Sequence, residues 1–69
     1  MKLFIKICDP ENIDRPFIFV RKSEISVLAR HIKEPPVTVI YSSNGLLGST
    51  SVTPEAIIAA IEADEDYVE

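Results

Sequence analysis

The stretch SEISVLARHIK, residues 23–33, decides between two folds for this chain. Its apolar residues recur at the spacing of one helical face, at Ile25, Leu28, Ala29 and Ile32. Ser23 stands just before them, and serine is among the residues that cap helix N-termini. We therefore expect a short helix over residues 23–33.

The same stretch also has the pattern of a strand, built on Ile25, Val27 and Ala29. Two of these are β-branched, and such side chains lose rotamer freedom in a helix and suit a sheet. Pro35 and Pro36 end the segment under either interpretation, because proline cannot continue a helix and disfavours helical geometry before it. The helix is the interpretation we favour, and the strand is the alternative.

Two strands are predicted upstream of this stretch. Residues 2–8 alternate, with Leu3, Ile5 and Ile7 on one side and Lys2, Phe4, Lys6 and Cys8 on the other. Residues 9–16 are rich in Asp, Asn and Pro, which favour turns, so we expect a loop. Residues 17–20, FIFV, are aromatic and β-branched and predict a second strand that is buried on both faces.

A hairpin is predicted downstream. Residues 37–43 alternate and end at Asn44-Gly45, a strong signal for a two-residue type I′ turn. With that turn, Ser43 pairs with Leu46 and Tyr41 with Gly48.

A helix is predicted to follow, from Thr53-Pro54-Glu55 to about Ala63. Thr is a favourable N-cap, and Pro suits the first helical position. The apolar stripe of this helix consists of Ile57, Ala60 and Ile61, and Ile58 widens it. Residues 64–69 contain four acids where the helix dipole is already negative, so we expect an exposed, frayed tail after a single domain of residues 1–63.

Together these elements predict an α+β fold. A small antiparallel sheet, made of the N-terminal strand pair and the Asn-Gly hairpin, is covered by the short middle helix and the C-terminal helix. The alternative is a β-meander with the C-terminal helix alone.

Composition excludes several classes of protein. The chain has 69 residues, a formal net charge of -4, one Cys and one His. Cys8 has no second Cys for a disulfide or a zinc site, so we expect a cytoplasmic protein. Neither a signal peptide nor a run of roughly 18 apolar residues is present, which argues against a membrane span. The negative charge opposes non-specific binding to nucleic acid or anionic lipid.

No catalytic or metal-binding constellation is recognisable in the sequence. A serine nucleophile needs a base in reach, and His31 is the single histidine, on the edge of the predicted middle helix. Asp9, Glu11 and Asp14 crowd one loop, but the glycine and terminal glutamate of a calcium loop are absent. We therefore expect a non-enzymatic protein with no metal and no cofactor.

One segment suggests nucleic-acid binding. Residues 15–22, RPFIFVRK, resemble the RNP1 strand of RNA-recognition motifs, with basic residues around two aromatics spaced by one. The residues of this alternative site are Arg15, Phe17, Phe19, Arg21 and Lys22. We favour the interpretation that the two phenylalanines point into the core, because so small a domain can spare few large hydrophobes.

A second resemblance covers residues 17–62. An apolar strand is followed by Glu24-Ile25, by a strand that ends at Asn44-Gly45, and by a helix that Thr53-Pro54-Glu55 opens. In this the chain resembles the small FlbD-like proteins associated with flagella and swarming, and it departs from them in the loop of residues 9–16 and in Pro35-Pro36. The resemblance implies a small regulatory or accessory protein that acts by contact, and no catalytic residue transfers with it.

The sequence thus predicts a regulatory or accessory module that works through protein contact, with itself as a homo-oligomer or with another protein. Apolar residues on both sides of two strands leave a surface to be covered. The contact residues that we expect are Phe4, Cys8, Phe17 and Phe19. Two alternatives are the nucleic-acid binder and an inhibitor whose acidic tail, residues 64–69, occupies a basic groove on a nucleic-acid enzyme.

Overall fold

The computed structural model describes residues 2–9, 11–14, 16–32 and 34–69. Within these ranges, six strands form two three-stranded sheets. The elements are β1 (Phe4–Cys8), β2 (Phe17–Arg21), β3 (Val27–His31), β4 (Val37–Ser42), β5 (Gly45–Thr50), α1 (Pro54–Glu62) and β6 (Tyr67–Val68). The β1 sheet has the order β2-β1-β6, and the β4 sheet has the order β3-β4-β5. The α+β prediction of one sheet under two helices is therefore wrong, because the described chain is mostly β and has a single α-helix.

The middle helix is the main correction. Residues Lys22–Glu24 make one turn of 3-10 helix, and the chain then enters β3, which pairs with β4 along its whole length. Ile25 and Leu28 pack against the core, as the helical pattern also required, but Ile32 is 87% exposed. A strand forms here, as in the alternative, because pairing with β4 satisfies the backbone of these residues. It begins at Val27 and not at Ile25, and Leu28 packs on the core while Val27 is exposed, so the face assigned to the alternative strand is wrong.

The hairpin forms, but its register differs from the predicted one. Ser42 pairs with Gly45 and Tyr41 with Leu46, so the turn residues are Ser43 and Asn44. Neither has a positive φ, which excludes the type I′ turn, and Gly45 instead takes a φ of 130°. The register then shifts by one residue between Ile40 and Tyr41, and beyond this irregularity Thr38 pairs with Thr50.

The predicted start of the C-terminal helix is confirmed. The Thr53 hydroxyl accepts a hydrogen bond from the backbone N–H of Ala56, and Pro54 begins the helix. At the other end, Asp64 has a φ of 54°, and the N–H of Glu65 donates to the carbonyl of Ala60. This is the hydrogen bond of a Schellman motif, which turns the chain sharply out of the helix.

That turn directs the last residues back onto the β1 sheet. Tyr67 and Val68 run parallel to β1, paired with Lys6 and Ile7, and Val68 is buried. Residues 67–68 therefore form a strand where the sequence predicted a frayed tail. The apolar side chain at position 68 explains the difference, because it completes the core beside β1.

The core lies between the two sheets and α1. Its fully buried aliphatic side chains are Ile5, Ile7, Ile40 and Ile57. The sheets approach closely at Gly48, where a Cβ atom would lie 2.9 Å from Cδ1 of Ile18. They are also joined by the buried Thr50, whose hydroxyl donates to the carbonyl of Cys8 at 2.8 Å.

Candidate functional site

Strand alternation gives the β1 sheet two unlike faces. The inner face presents Ile5 and Ile7 from β1, with Ile18 and Val20 from β2, and packs on the core. The residues between them point the other way, and we call the outward set the aromatic face: Phe4, Lys6, Cys8, Phe17, Phe19, Arg21 and Tyr67. The register joins these residues into one surface across three strands.

All three phenylalanines of the chain lie on this face. Phe4 is 48% exposed, Phe17 42% and Phe19 64%, and Tyr67 beside them is 46% exposed. Isolated exposed hydrophobes are ordinary on protein surfaces, but a contiguous group of aromatic rings is typical of a contact site.

The two cations of the face lie against its rings. Lys6 Nζ is 4.4 Å from the centroid of Phe17 and 6.0 Å from that of Tyr67. The guanidinium carbon of Arg21 is 5.2 Å from the ring centroid of Phe4. These are cation–π distances, so the charges are held on the surface by the aromatic rings themselves. The rings of Phe17 and Phe19 meet edge to face, with centroids 5.6 Å apart and planes at 79°.

Tyr67 and Cys8 are electrostatically linked at the β6 side of the face. The Cys8 side chain accepts a hydrogen bond from the neutral phenol, which raises the pKa of Tyr67 to about 12, with further contributions from desolvation and from Glu69. The cause is that the neutral phenol keeps a hydrogen bond that the phenolate would lose. The shift therefore moves the ionisation of Tyr67 further into the alkaline range.

The structure brings the predicted contact residues Phe4, Cys8, Phe17 and Phe19 onto this one face. The prediction that Phe17 and Phe19 point into the core is wrong, because their neighbours Ile18 and Val20 do so instead.

Sequence reasoning could not assign these two faces, since both alternating sets of β2 are apolar. It also missed Lys6 and Tyr67 as members of the face. The alternation of residues 2–8 already placed Lys6 outside, but the position of Tyr67 depends on β6, which has no signal in the acidic C-terminal residues.

The predicted nucleic-acid residues that the structure describes, Phe17, Phe19, Arg21 and Lys22, do not assemble into a basic cluster. Arg15 lies outside the described residues. Lys22 has a side chain only 12% exposed, and its ammonium group pairs with the Asp64 carboxylate at 3.0 Å. That hydrogen bond, with another from the backbone of Lys2, holds the pKa of Asp64 below its ordinary value. Of the three predicted cations, only Arg21 is seen on the aromatic face.

Asn12 and Asp14 stabilise a turn in the acidic loop between β1 and β2. The backbone N–H of Asp14 donates to the Asn12 side chain at 3.1 Å, as in turns that Asx residues stabilise. Among the residues that the structure describes, no three His, Cys, Asp or Glu side chains are grouped to hold a metal ion. His31 is exposed at the end of β3.

Over the described ranges, we find no helix with the length and apolar character needed to cross a membrane. Comparisons with protein-family models, with curated proteins and with solved structures found no match to this chain.

Proposed function

We propose that this chain is a small non-enzymatic regulatory or accessory module that acts by protein–protein contact through its aromatic face. The observation that carries the proposal is the exposure of all three phenylalanines, together with Tyr67, on one side of the β1 sheet. We also propose a cytoplasmic location, on the sequence argument that Cys8 has no partner for a disulfide.

The cost of this arrangement supports a functional role. A chain of 69 residues has little apolar area with which to stabilise itself. Phenylalanine is among the side chains that gain most from burial, at roughly 1.5–3 kcal/mol. The chain nevertheless fills its core with aliphatic residues and leaves every phenylalanine between 42% and 64% exposed. Aromatic side chains are enriched at the centres of protein interfaces, where such an exposed group is covered by a partner.

The geometry of the rings favours a protein partner over single-stranded nucleic acid. Bases stack on open ring faces. Here Lys6 lies over Phe17 and Arg21 over Phe4, and Phe19 meets Phe17 edge to face, so the rings do not form a flat platform. The net charge of -4 further opposes a polyanion.

The proposal is tested by affinity capture with three matched baits: the native chain, Phe19→Ser and Ile32→Ser. Ile32 is 87% exposed and follows β3 in the other sheet, so its substitution removes the same kind of apolar surface away from the aromatic face. Circular dichroism verifies that each bait is folded. A protein that the native chain and Ile32→Ser retain, that Phe19→Ser loses, and that rebinds as a purified component supports the proposal.

Three results contradict it. In the first, the native chain captures no protein beyond that on the bare resin. In the second, Phe19→Ser and the native chain retain the same protein equally well, which removes the aromatic face from the contact. In the third, the captured material is nuclease-sensitive and is lost with Phe19→Ser, which assigns the face to nucleic acid.

A further inference from the structure

We infer that the aromatic face receives an acidic peptide segment with apolar side chains, supplied by a different protein. This inference rests on the proposed function and names the chemistry of the partner. The surface shows three relevant properties: the sign of its charge, the absence of internal partners for that charge, and its size.

Charge is segregated on the molecule. The outward positions of β1 and β2 hold two cations, Lys6 and Arg21, and no acid. The chain as a whole has 11 acidic and 7 basic residues and a formal net charge of -4. Without Lys6 and Arg21, the rest of the chain therefore has a formal net charge of -6. Glu69 lies beside Tyr67, at the β6 edge. The side formed by β1 and β2 is thus a cationic surface on an acidic protein, and opposite potentials favour an acidic partner.

The two cations have no carboxylate partner within the part of the chain that the structure describes, where Lys22 and Asp64 form the ion pair that is seen. Lys6 and Arg21 instead lie on the rings of Phe17 and Phe4. A carboxylate that approaches such a cation gains a charge-assisted hydrogen bond beside an apolar ring, where water competes less. The apolar side chains of the same segment would cover Phe19 and Tyr67.

The size of the face favours a segment over a folded surface. β1 and β2 have five residues each and β6 has two, so with strands about 4.8 Å apart and about 3.4 Å per residue the face covers only ~200 Å² of the sheet. A stable complex between folded proteins buries about 800 Å² on each partner. One extended or helical peptide segment fits the smaller area.

The same properties disfavour a second copy of the chain as the occupant. A two-fold dimer through this face places the same patch on both sides of the contact. Lys6 and Arg21 of one copy would then approach the same two cations of the other, and Glu69 at the β6 edge supplies one acid against these two cations. The homo-oligomer that the sequence predicts is therefore a competing outcome of the test.

The test is a selection from a random peptide display library on the immobilised full chain. We expect enrichment of peptides that combine several Asp or Glu residues with aromatic or large aliphatic ones. A resynthesised acidic peptide is then titrated by fluorescence anisotropy. Arg21→Gln is expected to weaken it about tenfold, the usual effect of losing a charged hydrogen bond. Raising the salt concentration should weaken binding to the native chain as well.

Ala59→Glu is the matched control, because it changes the net charge by the same single unit at an exposed position of α1. It should change the affinity by less than about twofold, since a distant exposed charge is screened. An equal loss with Ala59→Glu and Arg21→Gln would show that overall charge, and not the face, attracts the peptide, and would overturn the inference.

Other results also overturn it. These are enrichment of neutral or basic peptides, no enrichment over uncoated support, and micromolar binding of oligouridine that Phe19→Ser abolishes. Light scattering that shows a dimer lost with Phe19→Ser would assign the face to a second copy. If the selection shows no preference for acids while affinity capture still depends on Phe19, the inference fails and the proposed function stands. If capture is independent of Phe19, the proposed function itself fails.

Discussion

The two faces of the β1 sheet come from alternate residues of the same strands, yet they have opposite physical roles. On the inner face, Ile5 and Ile7 are completely buried. On the outer face, Phe4, Phe17 and Phe19 keep between 42% and 64% of their surface in contact with water. The smaller side chains therefore stabilise the fold, and the larger ones are available for contact.

Packing explains why the aliphatic side chains are the inner ones. The sheets approach closely enough at Gly48 that even a Cβ atom would meet Ile18. Side chains that are too large force strain into a core of this kind. Phenyl rings in place of Ile5 or Ile7 would push the sheets apart, whereas on the outer side they meet no opposing layer. The comparison predicts that substitutions on the two faces separate stability from binding.

The largest expected effect is that of Ile7→Ala on the inner face. Ile7 is fully buried beside β6, so the truncation should lower the free energy of unfolding by about 2–5 kcal/mol. Urea denaturation followed by circular dichroism measures the loss. If Ile7→Ala does not fold, Ile7→Val should still show a loss of about 0.5–1.5 kcal/mol. Lys6→Ala, the outward neighbour, is the control, and a loss as large as that of Ile7→Ala would remove the distinction between the faces.

Removal of residues 67–69 should have the next largest effect, because β6 contributes to both faces. Val68 is buried on the inner side, and its loss should lower the free energy of unfolding by roughly 1.5–3 kcal/mol. Val68→Ala keeps the backbone pairing with β1 and should lose part of this, whereas Tyr67→Ala alters only the outer side. Thermal melts of the three variants measure which of them loses most stability and which loses least. A truncated chain as stable as the native one would mean that the C-terminal strand does not hold in solution.

Much of the fold could be predicted where local signals and packing agree. The Thr53 cap and Pro54 fixed the start of α1, and the alternation of residues 2–8 placed Ile5 and Ile7 inside. The prediction of a helix over residues 23–33 was wrong because two structures bring Ile25 and Leu28 to the core. A helix does so, and so does a strand that begins at Val27. The pairing of these residues with one edge of β4, a feature of the tertiary structure, decides between the two.

The site was predicted only in part, for a related reason. The contact residues Phe4, Cys8, Phe17 and Phe19 were named from the sequence, and the structure gathers them on one face. The orientation of β2 was not predictable, since both of its sides are apolar, and it follows from the pairing of Phe19 with Lys6. Tyr67 belongs to a strand of two residues that forms only when Val68 enters the core.

On the outer face, Phe19→Ser should leave the fold nearly as stable as before. Phe19 is 64% exposed, and its main described contact is the edge-to-face pair with Phe17. Such a pair contributes about 0.5–1.5 kcal/mol, so the free energy of unfolding should fall by about 1 kcal/mol or less. Urea denaturation beside Ile32→Ser measures this difference. A loss comparable with that of Ile7→Ala would show that the aromatic face stabilises the fold and is not reserved for contact.

The smallest expected effect is a shift in the titration of Tyr67. Its pKa is raised from 10.0 to about 12, first by the hydrogen bond to Cys8. Cys8→Ala removes that hydrogen bond, so the pKa of Tyr67 should fall towards 10.0 while desolvation and Glu69 keep part of the shift. Ultraviolet absorbance of the tyrosinate measures the change. Tyr67→Phe assigns the signal.

The sign of the linked stability change follows from the same shift. The folded chain holds the Tyr67 proton more tightly than the unfolded chain, so this contribution to stability is fully present below pH 10 and is lost as the pH rises towards 12. Cys8→Ala should flatten that alkaline loss, because it removes below pH 10 the part of the stability that the hydrogen bond to Cys8 contributes. If Tyr67 ionises near 10 in the native chain, then Tyr67 and Cys8 are not in contact. β6 would then not be held against β1, and the aromatic face would lack its third strand.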